Sequence, residues 1–365
     1  KMIIYFNLAL IAFELGNNNL AYTYINEYSK LMPDEITTYI MLGNIYFNKN
    51  NYLDALLEYQ KILWLYPQDL YALYQQAICL FKLEYYEDAK INFEKILSFK
   101  EDDYNSIYHL ALIAYDDNYT DKAIELFSNL LLYNTKDPTV YNYLGELYYK
   151  KDNLKQSLYS YEESIKIDPY NSDIYYQLGI IYEKLLNPSQ SIKNYKQAIK
   201  MDNNNLDLVY RLGMILYREG ELKKSIEYLR SYVSSNYEDI EVLEILASIL
   251  NSLNRFPESI EMYKKLIDYN KDNIDYYSKI AKLYWNLEDY EKSKYYYNIV
   301  LENNNFEGEV YYFLGYIANK EGQFELAKNY LMSAYECSYI SDELFNQFAF
   351  SLMETLLTTH NLLKL

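Results

Sequence analysis

Two columns of small residues, recurring every 34 positions, constrain this chain more than any other feature of its sequence. With Ile36 as position 1 of the period, position 8 reads Ala9, Gly43, Ala77, Ala111, Gly145, Gly179, Gly213, Ala247, Ala281, Gly315 and Ala349. Position 20 reads Ala21, Ala55, Ala89, Ala123, Ser157, Ser191, Ser225, Ser259, Ser293 and Ala327. No insertion interrupts either column. A period of this length held along a chain defines a repeat array, in which each repeat packs on its neighbours and no central globule is needed. The 365 residues therefore read as one continuous array and not as two or three globular domains.

Each repeat splits into two helices. Positions 4, 7, 8 and 11 are apolar or small, as in Tyr141, Leu144, Gly145 and Tyr148, which is the stripe of an amphipathic helix, here helix A. Position 15 carries Gly, Asn or Asp in Gly16, Asn50, Asn118, Asp152, Gly220, Asn254 and Gly322, residues that tolerate the left-handed turn ending a helix. Helix B follows through positions 20, 24 and 27, as in Ala89, Phe93 and Ile96. Pro33, Pro67 and Pro169 share position 32, where helix B should stop, while Pro138, Pro188 and Pro257 open helices, where a missing N–H costs little. The glycines at position 8 predict close helix contact, with the small residue at position 20 admitting the second helix.

The set Tyr39, Leu42, Gly43, Tyr46, Ala55, Tyr59 and Pro67 within a 34-residue helix-turn-helix resembles the tetratricopeptide repeat. The resemblance covers ten repeats over residues 2–341, beginning at 2, 36, 70, 104, 138, 172, 206, 240, 274 and 308, with a partial eleventh repeat or capping helix at 342–365. It departs from the pattern at Gln76, where position 7 is usually Leu, and at position 27, where Ile62, Tyr232 and Leu266 stand for Ala. The fold it implies is all-α: a right-handed superhelical solenoid of antiparallel helix pairs, with a concave groove lined by helix A through positions 2, 5, 9, 12 and 13. Those positions are also the ones turned away from the helix A core stripe.

The net charge of -18 and pI near 4.7 argue against nucleic acid, which needs clustered Lys and Arg, and against an anionic membrane surface. The simplest use of this charge is to keep a long array soluble. Half of the residues are hydrophobic, and 49 tyrosines can bury a ring while keeping the hydroxyl wet. Cys79 and Cys337 stand more than seven repeats apart and read as free thiols, which weakly favours the cytoplasm. No Cys or His spacing suits a metal. The apolar start, Lys1 to Phe13, imitates a signal peptide, but Tyr5, Leu8, Ala9 and Gly16 keep the period, so it reads as a repeat helix. No apolar run reaches the ~18–20 residues needed to span a bilayer.

Nothing in the sequence assembles a catalytic group or a cofactor site. The two histidines, His109 and His360, lack companions, and the glycines follow the period without clustering into a phosphate loop. Function should then lie in the groove, whose two halves differ. Position 12 gives Phe13, Phe47, Phe81, Tyr115 and Tyr149 in the first five repeats, and position 5 adds Phe6, Ile40, Tyr74 and Tyr108. These rings suit a peptide with aromatic or apolar anchors, or they pack between helices as core. Position 2 of the later repeats gives Asp173, Asp207, Glu241, Asp275, Glu309 and Glu343. A carboxylate there favours the helix dipole by ~0.3–1 kcal/mol and could also steer a basic partner. The chaperone-tail clamp of the family is not matched, since Asp207 stands where that clamp requires Lys beside Arg211.

The sequence thus predicts a non-catalytic protein-protein interaction scaffold holding a peptide or protein segment, with no nucleic acid and no membrane insertion. Two alternatives remain: the substrate-presenting arm of a larger enzyme such as a protein glycosyltransferase, and self-association through apolar chain ends. An asparagine ladder at position 6, which the resemblance would require of such an arm, starts at Asn7 but gives way to Met41, Gln75 and His109. Both ends read as cut: the chain starts without Met, and Thr358, Thr359, His360 and Asn361 read as a turn into a second helix of the eleventh repeat. The leucines 356, 357, 362, 363 and 365 either cap the last core or mark a continuation.

Overall fold

A computed structural model describes residues 2–133, 136–202, 205–235, 239–303 and 307–362, with side chains described as far as Leu357. Among the described residues there are 21 helices and no strands. They fall into two compact units, Lys1–Leu186 and Asn187–Leu365. The first contains α1 (Met2–Glu14), α2 (Asn18–Leu31), α3 (Ile36–Asn48), α4 (Tyr52–Leu65), α5 (Leu70–Lys82), α6 (Tyr86–Phe99), α7 (Tyr104–Asp116), α8 (Thr120–Tyr133), α9 (Pro138–Lys150), α10 (Leu154–Ile167) and α11 (Ser172–Lys184). The second contains α12 (Pro188–Met201), α13 (Leu206–Arg218), α14 (Leu222–Ser235), α15 (Ile240–Ser252), α16 (Phe256–Tyr269), α17 (Ile274–Asn286), α18 (Tyr290–Glu302), α19 (Gly308–Lys320), α20 (Phe324–Glu336) and α21 (Asp342–Leu362). Every odd-numbered helix starts at position 1 of the period. Within each unit consecutive helices pack on one another.

Local chemistry sets these boundaries. Asp or Asn precedes most helices A and closes their first turn: Asp69 accepts from the Ala72 N–H at 2.7 Å, Asp103 from Ser106 at 3.1 Å, and Asn205 from Leu208 at 3.1 Å. At position 15 the left-handed conformation is adopted by Gly16, Gly220 and Gly322, by Asn50, Asn118, Asp152 and Asn254, and also by Glu84, Leu186 and Glu288. The turn is therefore imposed on three residues with no local preference for it. The Glu84 N–H donates to the Phe81 carbonyl at 3.1 Å and the Tyr85 N–H to that of Leu80 at 2.9 Å, so the same pair of C-terminal bonds forms without glycine or asparagine.

The two small columns meet, but not as a simple small-on-small contact. All ten position 20 residues are fully buried. Four of these serines donate their hydroxyl to a position 8 carbonyl, Ser157 to Gly145 at 2.7 Å, Ser225 to Gly213 and Ser259 to Ala247 at 2.8 Å, and Ser293 to Ala281 at 2.9 Å. What limits bulk at position 8 is the side chain at position 24: a Cβ on Gly145 would lie 2.7 Å from the Tyr161 ring, and one on Gly213 2.6 Å from Leu229. Two further core columns lie outside the expected stripe. Positions 3 and 10 are buried in every helix A from α3 to α19, as in Val140 and Leu147, whereas in α1 Ile4 and Ile11 are exposed. Gln76 is buried as part of an amide ladder, donating to Gln60 at 2.6 Å and accepting from Asn92 at 2.9 Å.

The end of the second unit corrects one expectation. No turn forms at Thr358–Asn361; α21 runs unbroken to Leu362 and packs on α19 and α20. Its position 15 is Leu356, which stays helical within α21. The Thr355 hydroxyl instead bonds back to the Ser351 carbonyl at 2.7 Å, as it does inside a helix. Leu356 and Leu357 are exposed, and the side chains of Leu362, Leu363 and Leu365 lie outside the described residues.

Candidate functional site

In the first unit the aromatic positions of the helices A find partners within the chain. All eight rings are half-buried. Phe6 lies 5.3 Å from the Tyr28 ring, Phe13 joins the first core cluster, and Phe47 meets Tyr52 edge-on at 5.3 Å. Tyr115 packs edge-on against Tyr143 at 5.1 Å and donates its hydroxyl to Glu146, while Lys150 lies over its ring at 4.5 Å. Tyr149 carries Lys184 over its ring at 4.3 Å.

The structure gathers Tyr74, Phe81 and Tyr108 around one residue that spacing alone did not distinguish, His109. Its imidazole stacks on Phe93 at 5.1 Å and meets Phe81, Tyr108 and Tyr74 edge-on at 5.4, 5.7 and 6.0 Å. Its Nδ1 lies 2.8 Å from the Asn105 carbonyl, which places the proton on Nδ1 in the neutral ring. Burial, reinforced by Lys82 and opposed by the bond to Asn105, lowers the histidine below its ordinary pKa. The cue available in the sequence was a histidine at position 6 between two aromatic columns. These rings pack on one another.

In the second unit Asp173's counterparts Asp207, Glu241, Asp275 and Glu309 occupy first turns, as does Asp173 itself in α11, where the helix dipole favours them. Three are also paired: Asp207 with Arg211 at 2.8 Å, Asp275 with Lys279 at 2.6 Å and Glu309 with Lys282 at 2.6 Å. Exposed pairs of this kind contribute ~0–1 kcal/mol each, so the row is partly neutralised and not rigidly held.

Beside this row lies an open cleft of about 450 Å³ built by repeats seven, eight and nine. Tyr217 of α13, Glu244, Ser248 and Asn251 of α15, and Lys279, Lys282 and Asn286 of α17 supply its helix A walls, with Tyr263 of α16 at its base. Tyr276 donates to Glu244 at 2.5 Å, and Lys279 lies over the Tyr263 ring at 5.7 Å. Past the cleft, Trp285 packs on Phe313 at 4.7 Å and Tyr316 at 4.6 Å. Aromatic surface is thus present in both units, against the expected division into an aromatic and an acidic half. The cleft was missed because its residues share no type; only their recurrence at positions 5, 6, 9, 12 and 13 links them.

Among the described residues no group of three or more His, Cys, Asp or Glu could hold a metal ion, and no helix is long and apolar enough to cross a membrane. Cys79 is buried, and burial pushes its thiol up to about 12, so it stays protonated; Cys337 is exposed.

Family models described as TPR repeat match residues 145–185 and 247–288, and models described as tetratricopeptide repeat match 176–239, 36–69, 274–305 and 308–337. The chain belongs to the tetratricopeptide repeat family. No curated protein matches it. Among solved structures it is similar to YrrB, described as a TPR protein with an unusual peptide-binding site, at 20% identity over 51% of this chain and 96% of that one, TM-score 0.45. MamA matches at 20% identity over 46% and 97%, TM-score 0.42, and a tetratricopeptide repeat protein from Parabacteroides merdae at 15% over 68% and 98%, TM-score 0.40.

Proposed function

We propose that this protein is a non-catalytic interaction scaffold that holds a peptide segment of a protein partner on the helix A face of repeats seven to nine. The cleft carries the reading. Asn251 and Asn286 each offer a donor and an acceptor, the pairing a peptide backbone needs, and Tyr217 and Tyr263 offer flat apolar surface for a side chain. Lys279 and Lys282 are held by exposed carboxylates that an incoming ligand group can replace at small cost. The exposed acids Asp173, Asp207 and Glu241 favour a partner with basic residues flanking the bound segment.

The test is selection of phage-displayed random peptides on the intact protein, followed by titration of the enriched peptides against Asn251→Leu/Asn286→Leu. The proposal expects at least about a tenfold loss of affinity, the scale of one or two lost hydrogen bonds. Equal binding to parent and double variant would overturn it. Replacing Asp173, Asp207 and Glu241 by Asn tests the steering row separately, through the salt dependence of binding to basic peptides.

A further inference from the structure

The polar side chains that bridge repeats two and three are replaced one period later, and a cleft lies there. Between repeats two and three, Gln60 of α4, Gln76 of α5 and Asn92 of α6 join three helices by amide hydrogen bonds of 2.6 and 2.9 Å. In the next pair the same positions, 25, 7 and 23, hold Glu94 of α6, Leu110 of α7 and Leu126 of α8, which cannot form such a ladder. All three line a cleft of about 410 Å³ inside the first unit. Its floor is the stripe of α7 that carries Leu110, Ile113 and Ala114, on the side of the helix away from the ring-bearing face. Leu97 and Leu126 add apolar walls, while Glu94, Asp117 and two lysines, Lys90 and Lys122, bring charge.

We propose that this cleft is a second binding site, whose occupant is a peptide segment of a protein partner that presents an apolar side chain next to an arginine or lysine. The leucine- and isoleucine-lined floor takes the apolar side chain. Charge selects its neighbour. Glu94 and Asp117 are exposed, and among the described residues neither has an ion-pair partner. Lys90 and Lys122 already have carboxylates on their own helices, Glu87 at 3.9 Å and Glu125 at 3.1 Å. A cation entering the cleft therefore meets two uncommitted charges, whereas an anion must first displace existing pairs. Tyr119, also lining the cleft and 67% exposed, offers a ring face to a guanidinium. The net charge of -18 draws a basic segment in from a distance. The site lies wholly in the first unit and does not depend on the cleft of repeats seven to nine.

Methyl NMR of the full chain, labelled at Ile and Leu, tests this with N-acetyl-leucyl-arginine amide as the probe and its uncharged citrulline counterpart as the control. The arginine probe should give saturable shifts centred on Leu97, Leu110, Ile113 and Leu126, and the citrulline probe should bind about fivefold more weakly, the scale of one exposed ion pair. Glu94→Gln/Asp117→Asn, which changes only exposed side chains, should erase that difference and leave citrulline binding as it was. Glu94→Gln/Leu110→Gln/Leu126→Asn, which copies the amide ladder into this pair of repeats, should abolish binding of both probes. Equal binding of the two probes by the parent overturns the proposal, as does the absence of saturable shifts up to about 10 mM probe. Shifts confined to Ile245 and Leu283, in the cleft of the second unit, overturn it as well.

Discussion

On the helix A face of the first unit, repeats three and four present rings that pack on one another around His109. At the same positions of the second unit, repeats seven to nine present Glu244, Ser248, Asn251, Lys279, Lys282 and Asn286 and enclose an open cleft. The repeat geometry is the same in both. Rings satisfy each other by edge and face contacts and fill the space they create, whereas polar side chains must keep water or a ligand within reach and so hold the face open. The conspicuous aromatic column is thus packed on itself here, while an inconspicuous set of unlike polar residues lines the open cleft.

The contrast breaks most sharply at Phe93. Phe93→Ala removes the ring beneath His109 and should cost ~3–5 kcal/mol in urea unfolding; a cost under ~1 kcal/mol would mean that the rings are not packing and would return the aromatic column to the ligand. Next in size, Ser259→Ala in the second unit deletes a buried hydroxyl bonded to Ala247 and should cost ~1 kcal/mol, although the substituted residue is the one used at this position in the first four repeats. A backbone control should act alike in both units: Glu84→Gly and Glu288→Gly relieve the left-handed turn and should each raise stability by ~0.5–1 kcal/mol. A gain in only one would show that the repeats differ in their turns as well as in their faces.

His109 gives a smaller, pH-dependent test. Burial disfavours its charged form, so the unfolded chain takes up a proton more readily than the folded one. Its contribution to stability is complete above the ordinary histidine pKa of about 6.5 and declines as the pH falls through and below it. Thermal melts of parent and His109→Phe between about pH 7 and pH 5 isolate this from the carboxylates, and parallel curves would refute it. Smallest of all, Asn251→Leu/Asn286→Leu should change stability by no more than ~0.5 kcal/mol while affecting peptide binding.

Much of the fold was legible because a tandem array writes its contacts as columns. Position 8, position 20 and the prolines fixed helix starts, helix ends and the close approach of each pair from the sequence alone. Positions 3 and 10 escaped because they face a neighbouring repeat, and a single helical stripe accounts for only one partner at a time. The left-handed turns at Glu84 and Glu288 escaped because packing of the second helix, not residue preference, places the chain there. The unbroken α21 is the converse case, where the period predicts a turn at Leu356 and the chain stays helical.

Periodicity by itself therefore determined the helix pairs, their spacing and which small residues they close upon, since those depend on contacts between residues at fixed separation. Tertiary structure decided what the period does not encode. It decided that the rings of the first unit complete one another, that unlike residues from three repeats enclose a cleft, and that α21 stays helical through Leu356. Each depends on which side chains from different repeats meet in space.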